Sequence, residues 1–231
     1  LSILEKTLHH IKDTTGLELD LNDLPIDDKK VFEMMSAGET TGVFQFESAG
    51  MRRYLRELKP TELEDLVAMN ALYRPGPMEY IPQYIEGKHN PKKVKYPHEI
   101  LKPLLKKTYG IAVYQEQVLR IAQEFAGFSL GEADILRKAI GKKIISILEE
   151  QRKKFIEGGV AKGHTHKEGE HLFDEIVVPF AGYGFNRSHA VCYARIAYET
   201  AYMRANYPGE VMAAMMTTDR NNTDRIVLEM D

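Results

Sequence analysis

The 231-residue chain has one cysteine, Cys192, and no tryptophan. A lone thiol excludes an internal disulfide and a cysteine-based zinc site, and it fits a reducing, cytoplasmic setting. No apolar run approaches the roughly 20 residues that a membrane-spanning helix needs, and the start lacks a signal-peptide pattern. Neither a Gly-x-x-x-x-Gly-Lys-Ser/Thr loop nor a Gly-x-Gly-x-x-Gly turn occurs, so two common phosphate cradles are excluded. Asp-x-Asp is also absent. The acidic groups Asp27/Asp28 and Glu62/Glu64/Asp65 sit where helix first turns want them, not where two metal ions would be held.

Hydrophobic residues make up 43% of the chain and charged residues 28%, an ordinary globular composition. The net charge is −3, but it is unevenly spread. Residues 1–73 carry 8 basic and 14 acidic groups, residues 74–154 carry 16 and 9, and residues 155–231 carry 7 and 11. A basic centre between acidic flanks attracts phosphates locally while the molecule stays near neutral. The chain opens on Leu1 rather than Met and stops within a helical pattern at 223–231, as a piece of something larger would.

The hydrophobic pattern predicts a mainly α fold with at most a short β element near residues 41–47 (TGVFQFE). Asp27/Asp28 and Gly38 bracket one helix. Thr61 and Glu64 form a capping box for a second, which must stop before Pro75-Gly76-Pro77. Residues 86–103, rich in Lys, Pro and His, read as a loop. Tyr114, Val118, Ile121, Ala122 and Phe125 make one buried stripe ended by Gly127. Ser129 and Glu132 form another capping box, opening a helix that Gly141 interrupts before 144–156 resumes the pattern. Gly158 to His166 reads as a loop, with a short helix around 171–178. Ser188 is placed to cap a long helix to Tyr207, striped with Ala190, Ala194, Ala197 and Ala201.

Three groups could hold an anion. Arg137, Lys138, Lys142 and Lys143 cluster at a helix end, where Gly141 would let a phosphate approach backbone. A bound polyphosphate and a plain solvated helix end both account for them. Asn186-Arg187-Ser188-His189 opens a helix, where free N–H groups favour anions. Arg74 is held between a helix end and a rigid turn. His164, His166 and His171 lie close in sequence, but their spacing matches no zinc pattern, so no metal is expected there. Cys192 with His189 lacks an orienting partner, and no catalytic residue is assigned.

Read in order, several segments resemble the alpha subunits of bacterial DNA polymerase III, the C-family replicative polymerases. They are ETTGVFQFESAGM (39–51), ALYRPGPM (71–78), TYGIAVYQEQV (108–118), SLGEADILRKAIGKK (129–143), FAGYGFNRSHA (180–190) and 197–214. The resemblance implies a fingers-region fragment over 1–231, with 1–60 next to the palm and 61–231 gripping nucleotide. It implies that Arg137 and Lys138 lie against the triphosphate of an incoming deoxynucleotide, with Lys142 and Lys143 close by. It places Asn186, Arg187, Ser188 and His189 on the same nucleotide-facing surface and matches Arg74 to the arginine of the family's Arg-Pro-Gly-Pro turn, a further nucleotide-binding candidate. Lys138 stands where the family usually has a second arginine, Arg187 where it has a lysine. The resemblance further implies a DNA-directed DNA polymerase whose catalytic aspartates and Mg²⁺ ions lie outside this segment, so the fragment alone should be inactive. Its implied partners are primer-template DNA and other replicase subunits in the bacterial cytoplasm. The competing readings are a non-catalytic helical DNA-binding module and a zinc hydrolase built on the histidine loop.

Overall fold

A computed structural model describes residues 2–142 and 144–220, with Ala181 described by its backbone alone. The expected helix at 223–231 therefore lies outside the described residues. In chain order the helices are α1 (Ser2–Thr15), α2 (Lys29–Ala37), α3 (Ala49–Leu58), α4 (Leu63–Leu72), α5 (Ile81–His89), α6 (Lys102–Leu105) and α7 (Gln115–Ala126). There follow α8 (Leu130–Gly141), α9 (Ile145–Ala161), α10 (His166–Leu172), α11 (Val178–Tyr183), α12 (Arg187–Asn206) and α13 (Pro208–Thr218). The fold is mainly α. Residues 41–47 form turns, bent by left-handed backbone at Gly42 and Gln45. Among the described residues, β pairing is confined to a single parallel bridge between Tyr114 and Phe185.

The predicted caps account for several helix ends. Asp28 accepts the Lys30 N–H at 2.8 Å to open α2, and Gly38 closes it in the left-handed region. At α4 the expected Thr61–Glu64 box is corrected: the buried carboxylate of Asp65, not Glu64, accepts the N–H groups of Thr61 and Glu62. Gly127 closes α7, and Ser129 and Glu132 cap α8 reciprocally. Other expectations are corrected. The stretch 86–103 is not a continuous loop: α5 runs to His89, and 3-10 turns occupy Pro91–Lys93 and Glu99–Leu101. The helix expected around 171–178 starts earlier, because Thr165 and Glu168 form an unread capping box. It passes through a π turn at Phe173–Val177 into α11.

The chain forms two compact units, a division that does not follow a boundary at residue 60. One comprises the described residues of Leu1–Asn70 with Val191–Asp231, the other those of Ala71–Ala190. In the first, Leu4 and Ile11 of α1 pack with Val211 and Met215 of α13 and with Met203. The buried Tyr198 hydroxyl there accepts the Asp28 N–H at 3.0 Å and donates to the Pro25 carbonyl at 2.7 Å. The core of the second unit is aromatic. Phe125 stacks on Phe155 at 5.2 Å between centroids, and Phe155 meets Phe173 at 5.4 Å.

Gly158 and Gly159 belong to α9 rather than to the expected loop, because α9 packs tightly on α7. A Cβ at Gly158 would lie 2.2 Å from the Ala126 carbonyl oxygen, a backbone atom with nowhere to move. Gly158→Ala should therefore destabilise the chain by about 1–3 kcal/mol, although alanine is the better helix former. Gly131→Ala, in the first turn of α8 with nothing within 4 Å of its Cβ, should stabilise it by up to about 1 kcal/mol. Urea unfolding of the two variants beside the parent checks both signs.

Candidate functional site

The reciprocal cap at Ser129 starts α8 in a defined register. Its buried face, Ala133, Leu136, Ala139 and Ile140, fixes which residues turn outward. Asp134, Arg137 and Lys138, at i, i+3 and i+4, then share the outer face. One oxygen of Asp134 accepts from Nε and Nη2 of Arg137 at 3.1 and 2.7 Å, and the other stands 2.7 Å from the Lys138 ammonium. Lys138 first, then Arg137, holds the Asp134 carboxyl below its ordinary range. Helical spacing persists to Lys142, whose N–H bonds the Lys138 carbonyl at 3.0 Å. A Cβ at Gly141 would meet nothing within 4 Å, so packing does not require glycine there. Lys143 lies outside the described residues.

The second group is built around Phe185. Its N–H donates to the Val113 carbonyl at 3.2 Å, and its carbonyl accepts the Gln115 N–H at 3.0 Å. The next residue, Asn186, is the true cap of α12: its side-chain oxygen accepts the His189 N–H at 2.9 Å. The expected role of Ser188 as cap is corrected accordingly; Ser188 is exposed in the first turn. Nor are the N–H groups at this helix start all free. Both carboxylate oxygens of Glu116 lie 3.2 Å from the Arg187 N–H, and one accepts from the Asn186 amide at 3.3 Å. Sequence reasoning missed Glu116, because an acid in a first turn reads as a simple complement to the helix dipole.

Arg74 closes this group. Its Nε donates to the Ala71 carbonyl at 2.8 Å, and Nη2 donates to the Tyr183 carbonyl. Its guanidinium lies 4.6 Å from the centre of the Phe185 ring, and burial lowers its pKa. Gly76, at φ +97°, gives the following turn a conformation that L side chains rarely adopt. Among the described residues no carboxylate pairs with Arg74. The His189 ring lies 5.4 Å from Phe185 between centroids, and the Arg187 guanidinium lies 5.7 Å from the Tyr114 ring.

The unit Ala71–Ala190 thus holds every described candidate: Arg74, Arg137, Lys138, Lys142, Asn186, Arg187, Ser188 and His189. It brings Arg74, Asn186, Arg187 and His189 together around Phe185. Arg137 and Lys138 form a second cluster on α8, which packs against α11, the helix leading into the Phe185 segment. The sequence of this unit carries 19 basic and 14 acidic residues, the remainder 12 and 20. The carboxylates beside these cations, Asp134, Glu116 and Glu132, do not fit a pair of Mg²⁺ ions. Asp134 is committed to two cations and Glu116 to a helix start. Glu132 is held at about 2 by Lys154 and by the Ser129 N–H and hydroxyl.

The histidines separate. His166 lies 3.4 Å from Glu170, while His164 joins His98 and Glu168, a grouping that sequence spacing did not reveal. These three offer ligand atoms within 4.8 Å of one another. However, Nδ1 of His98 accepts the Ile100 N–H at 3.2 Å, so the neutral ring carries its proton on Nε2, 3.6 Å from Glu168. Neither nitrogen then presents an open lone pair to a cation. His164 stacks on Phe125 at 4.4 Å between centroids, and burial, then His98 and Lys162, lowers its pKa.

Comparison with known proteins gives a consistent result. Residues 1–163 match the model of the bacterial DNA polymerase III alpha subunit finger domain. The DNA polymerase III subunit alpha of Halalkalibacterium halodurans is 49% identical over 226 residues, which are 98% of this chain and 20% of that protein. The corresponding proteins of Treponema pallidum and Thermus aquaticus are 47% and 48% identical, over 100% and 98% of this chain and 20% and 19% of theirs. The chain spans about a fifth of the length of these relatives.

The partly buried His164 makes stability depend on pH. Below the ordinary value of 6.5 the unfolded chain binds a proton that folded His164 resists. Its contribution is therefore full above pH 6.5 and declines as pH falls through the window beneath it. His164→Phe keeps the stack on Phe125 and removes the proton. Urea midpoints between pH 7 and 5 should fall in the parent and fall less in the variant.

Proposed function

The chain belongs to the family of bacterial DNA polymerase III alpha subunits, and from that membership we propose that its Ala71–Ala190 unit grips the triphosphate of an incoming deoxynucleotide during DNA-templated primer extension. The observation that carries this reading is the convergence of Arg137 and Lys138, each 2.7 Å from one carboxylate. Their head groups already meet around a single anion, and phosphate oxygens present the same acceptor chemistry. Lys142 and Lys143 follow on the same stretch of chain. Arg74, half-buried without an acidic partner among the described residues, supplies a further cation; His189 shares the Phe185 ring with it, and Arg187 and Ser188 follow Asn186 at the same helix start.

The protein's part in this reaction is electrostatic and positional. Phosphoryl transfer asks for charge placed where the leaving phosphates gain it, and fixed guanidinium and ammonium groups meet that need. Residues elsewhere in the polymerase would hold the Mg²⁺ ions, because Asp134, Glu132 and Glu116, the carboxylates among the candidate cations and helix starts, are engaged otherwise. The chain alone would then not extend a primer. Its contacts with DNA would be to phosphates, weak, salt-dependent and without sequence preference.

Arg137→Ala tests the reading in the full-length polymerase that carries this segment. Loss of a charge-assisted hydrogen bond costs about 1.5–3 kcal/mol, so kcat/KM for nucleotide should fall roughly ten- to a hundred-fold. Affinity for primer-template should hold. Lys138→Ala should behave alike but more mildly, since lysine lacks the bidentate fork. Single-nucleotide incorporation kinetics beside a DNA titration make the measurement. Unchanged nucleotide kinetics with weakened DNA binding would instead favour a helical DNA-binding module.

A further inference from the structure

We infer that Asp134 is a positioning residue for nucleotide use, gathering Arg137 and Lys138 into one anion-binding pair; the inference rests on the reading of α8 given above. Arg137 and Lys138 are neighbours in sequence and carry like charge, so their flexible side chains would separate if left alone. Asp134 prevents this with both its oxygens. Nε and Nη2 of Arg137 meet one oxygen at 3.1 and 2.7 Å, which holds one edge of the planar guanidinium. The Lys138 ammonium takes the other oxygen at 2.7 Å.

The arrangement orders the cations without using them up. Nη1 of Arg137 has no partner among the described residues, and the Lys138 ammonium keeps donors beyond the one that faces Asp134. One carboxylate against two cations leaves a net positive charge on this face. Arg137 and Asp134 are partly shielded, at 31% and 38% side-chain exposure, so their geometry is better defined than that of the more exposed Lys138. Asp134 itself is rigidly placed, five residues beyond the Ser129 cap on a helix whose opposite face is buried. A guanidinium ordered before the ligand arrives loses less freedom on binding than one that must be ordered by the ligand.

Three variants of the full-length polymerase decide the matter, read by single-nucleotide incorporation with primer-template affinity and melting temperature as controls. Asp134→Ala should raise the nucleotide KM roughly three- to tenfold, with DNA affinity and melting temperature nearly unchanged. Asp134→Asn should recover most of that loss, because its amide oxygen still accepts from the Arg137 edge. A lower KM in both variants would overturn the proposal and make Asp134 a competitor of the nucleotide. Unchanged KM in both would overturn it as well, leaving an ordinary surface ion pair. Arg137→Ala, run alongside, separates the two levels. If it impairs nucleotide use while Asp134→Ala does not, only the positioning role falls; if it has no effect, the nucleotide reading itself falls.

Discussion

Two backbone hydrogen bonds decide where most of the candidate site can be. The Phe185 N–H to Val113 and the Gln115 N–H to Phe185 tie residue 185 to the start of α7. Because α12 begins two residues later, its N-terminus is set by the same clamp. Glu116, one residue into α7 from Gln115, then meets the Arg187 N–H, and Arg74 closes over the Phe185 ring. Side chains more than 100 residues apart in sequence are brought together by one short parallel bridge. A clamp of this kind suits a binding surface, since backbone bonds restrict a loop without spending its side chains.

Basic residues that would meet an anion must also be tolerated without one. The unit meets that need with internal carboxylates. Asp134 serves Arg137 and Lys138, Glu132 serves Lys154, and Asp174 and Glu170 serve Arg152. Exposed pairs of this kind contribute little to stability, so these contacts order side chains more than they stabilise the fold. Arg74 is handled differently. Carbonyl oxygens and an aromatic face replace water around it, which keeps its charge without neutralising it.

Much of the helical frame was legible because its signals are local. Asp28 and Gly38 around α2, the apolar stripe of α7 and the Ser129–Glu132 box each act within a few residues. The candidate residues Arg137 and Lys138 were legible for the same reason, through a helix with readable ends. What escaped depends on distant partners or on signals passed over. Leu4, Leu8 and Ile11 of α1 and Met51, Leu55 and Leu58 of α3 have helical spacing that was not used. Gly158 reads as a helix breaker until Ala126 is seen against it, when only glycine fits. Asn186 outcompetes Ser188 as cap once Phe185 is clamped, and no local pattern reports that clamp. His98 meets His164 across 66 positions, beyond the reach of any spacing rule.

A chain of net charge −3 is an unpromising binder of polyanions if charge is counted globally, yet the count that matters is local. Screening at physiological ionic strength reduces the influence of exposed charges beyond about 8 Å. A phosphate reaching α8 therefore responds to Arg137, Lys138 and Asp134 far more than to acidic residues elsewhere in the sequence. Within the Asp134 cluster itself the balance is two cations to one carboxylate, and the carboxylate is engaged on both oxygens. A triphosphate brings several negative charges and many acceptor oxygens, so in the proposed complex it would use the donors that Asp134 leaves open without first displacing it. The residue that makes the cluster tolerable when empty would thus not have to be removed for the proposed ligand to enter. Such a site needs no rearrangement of α8 to change from one state to the other, which is the condition under which electrostatic preorganisation contributes most.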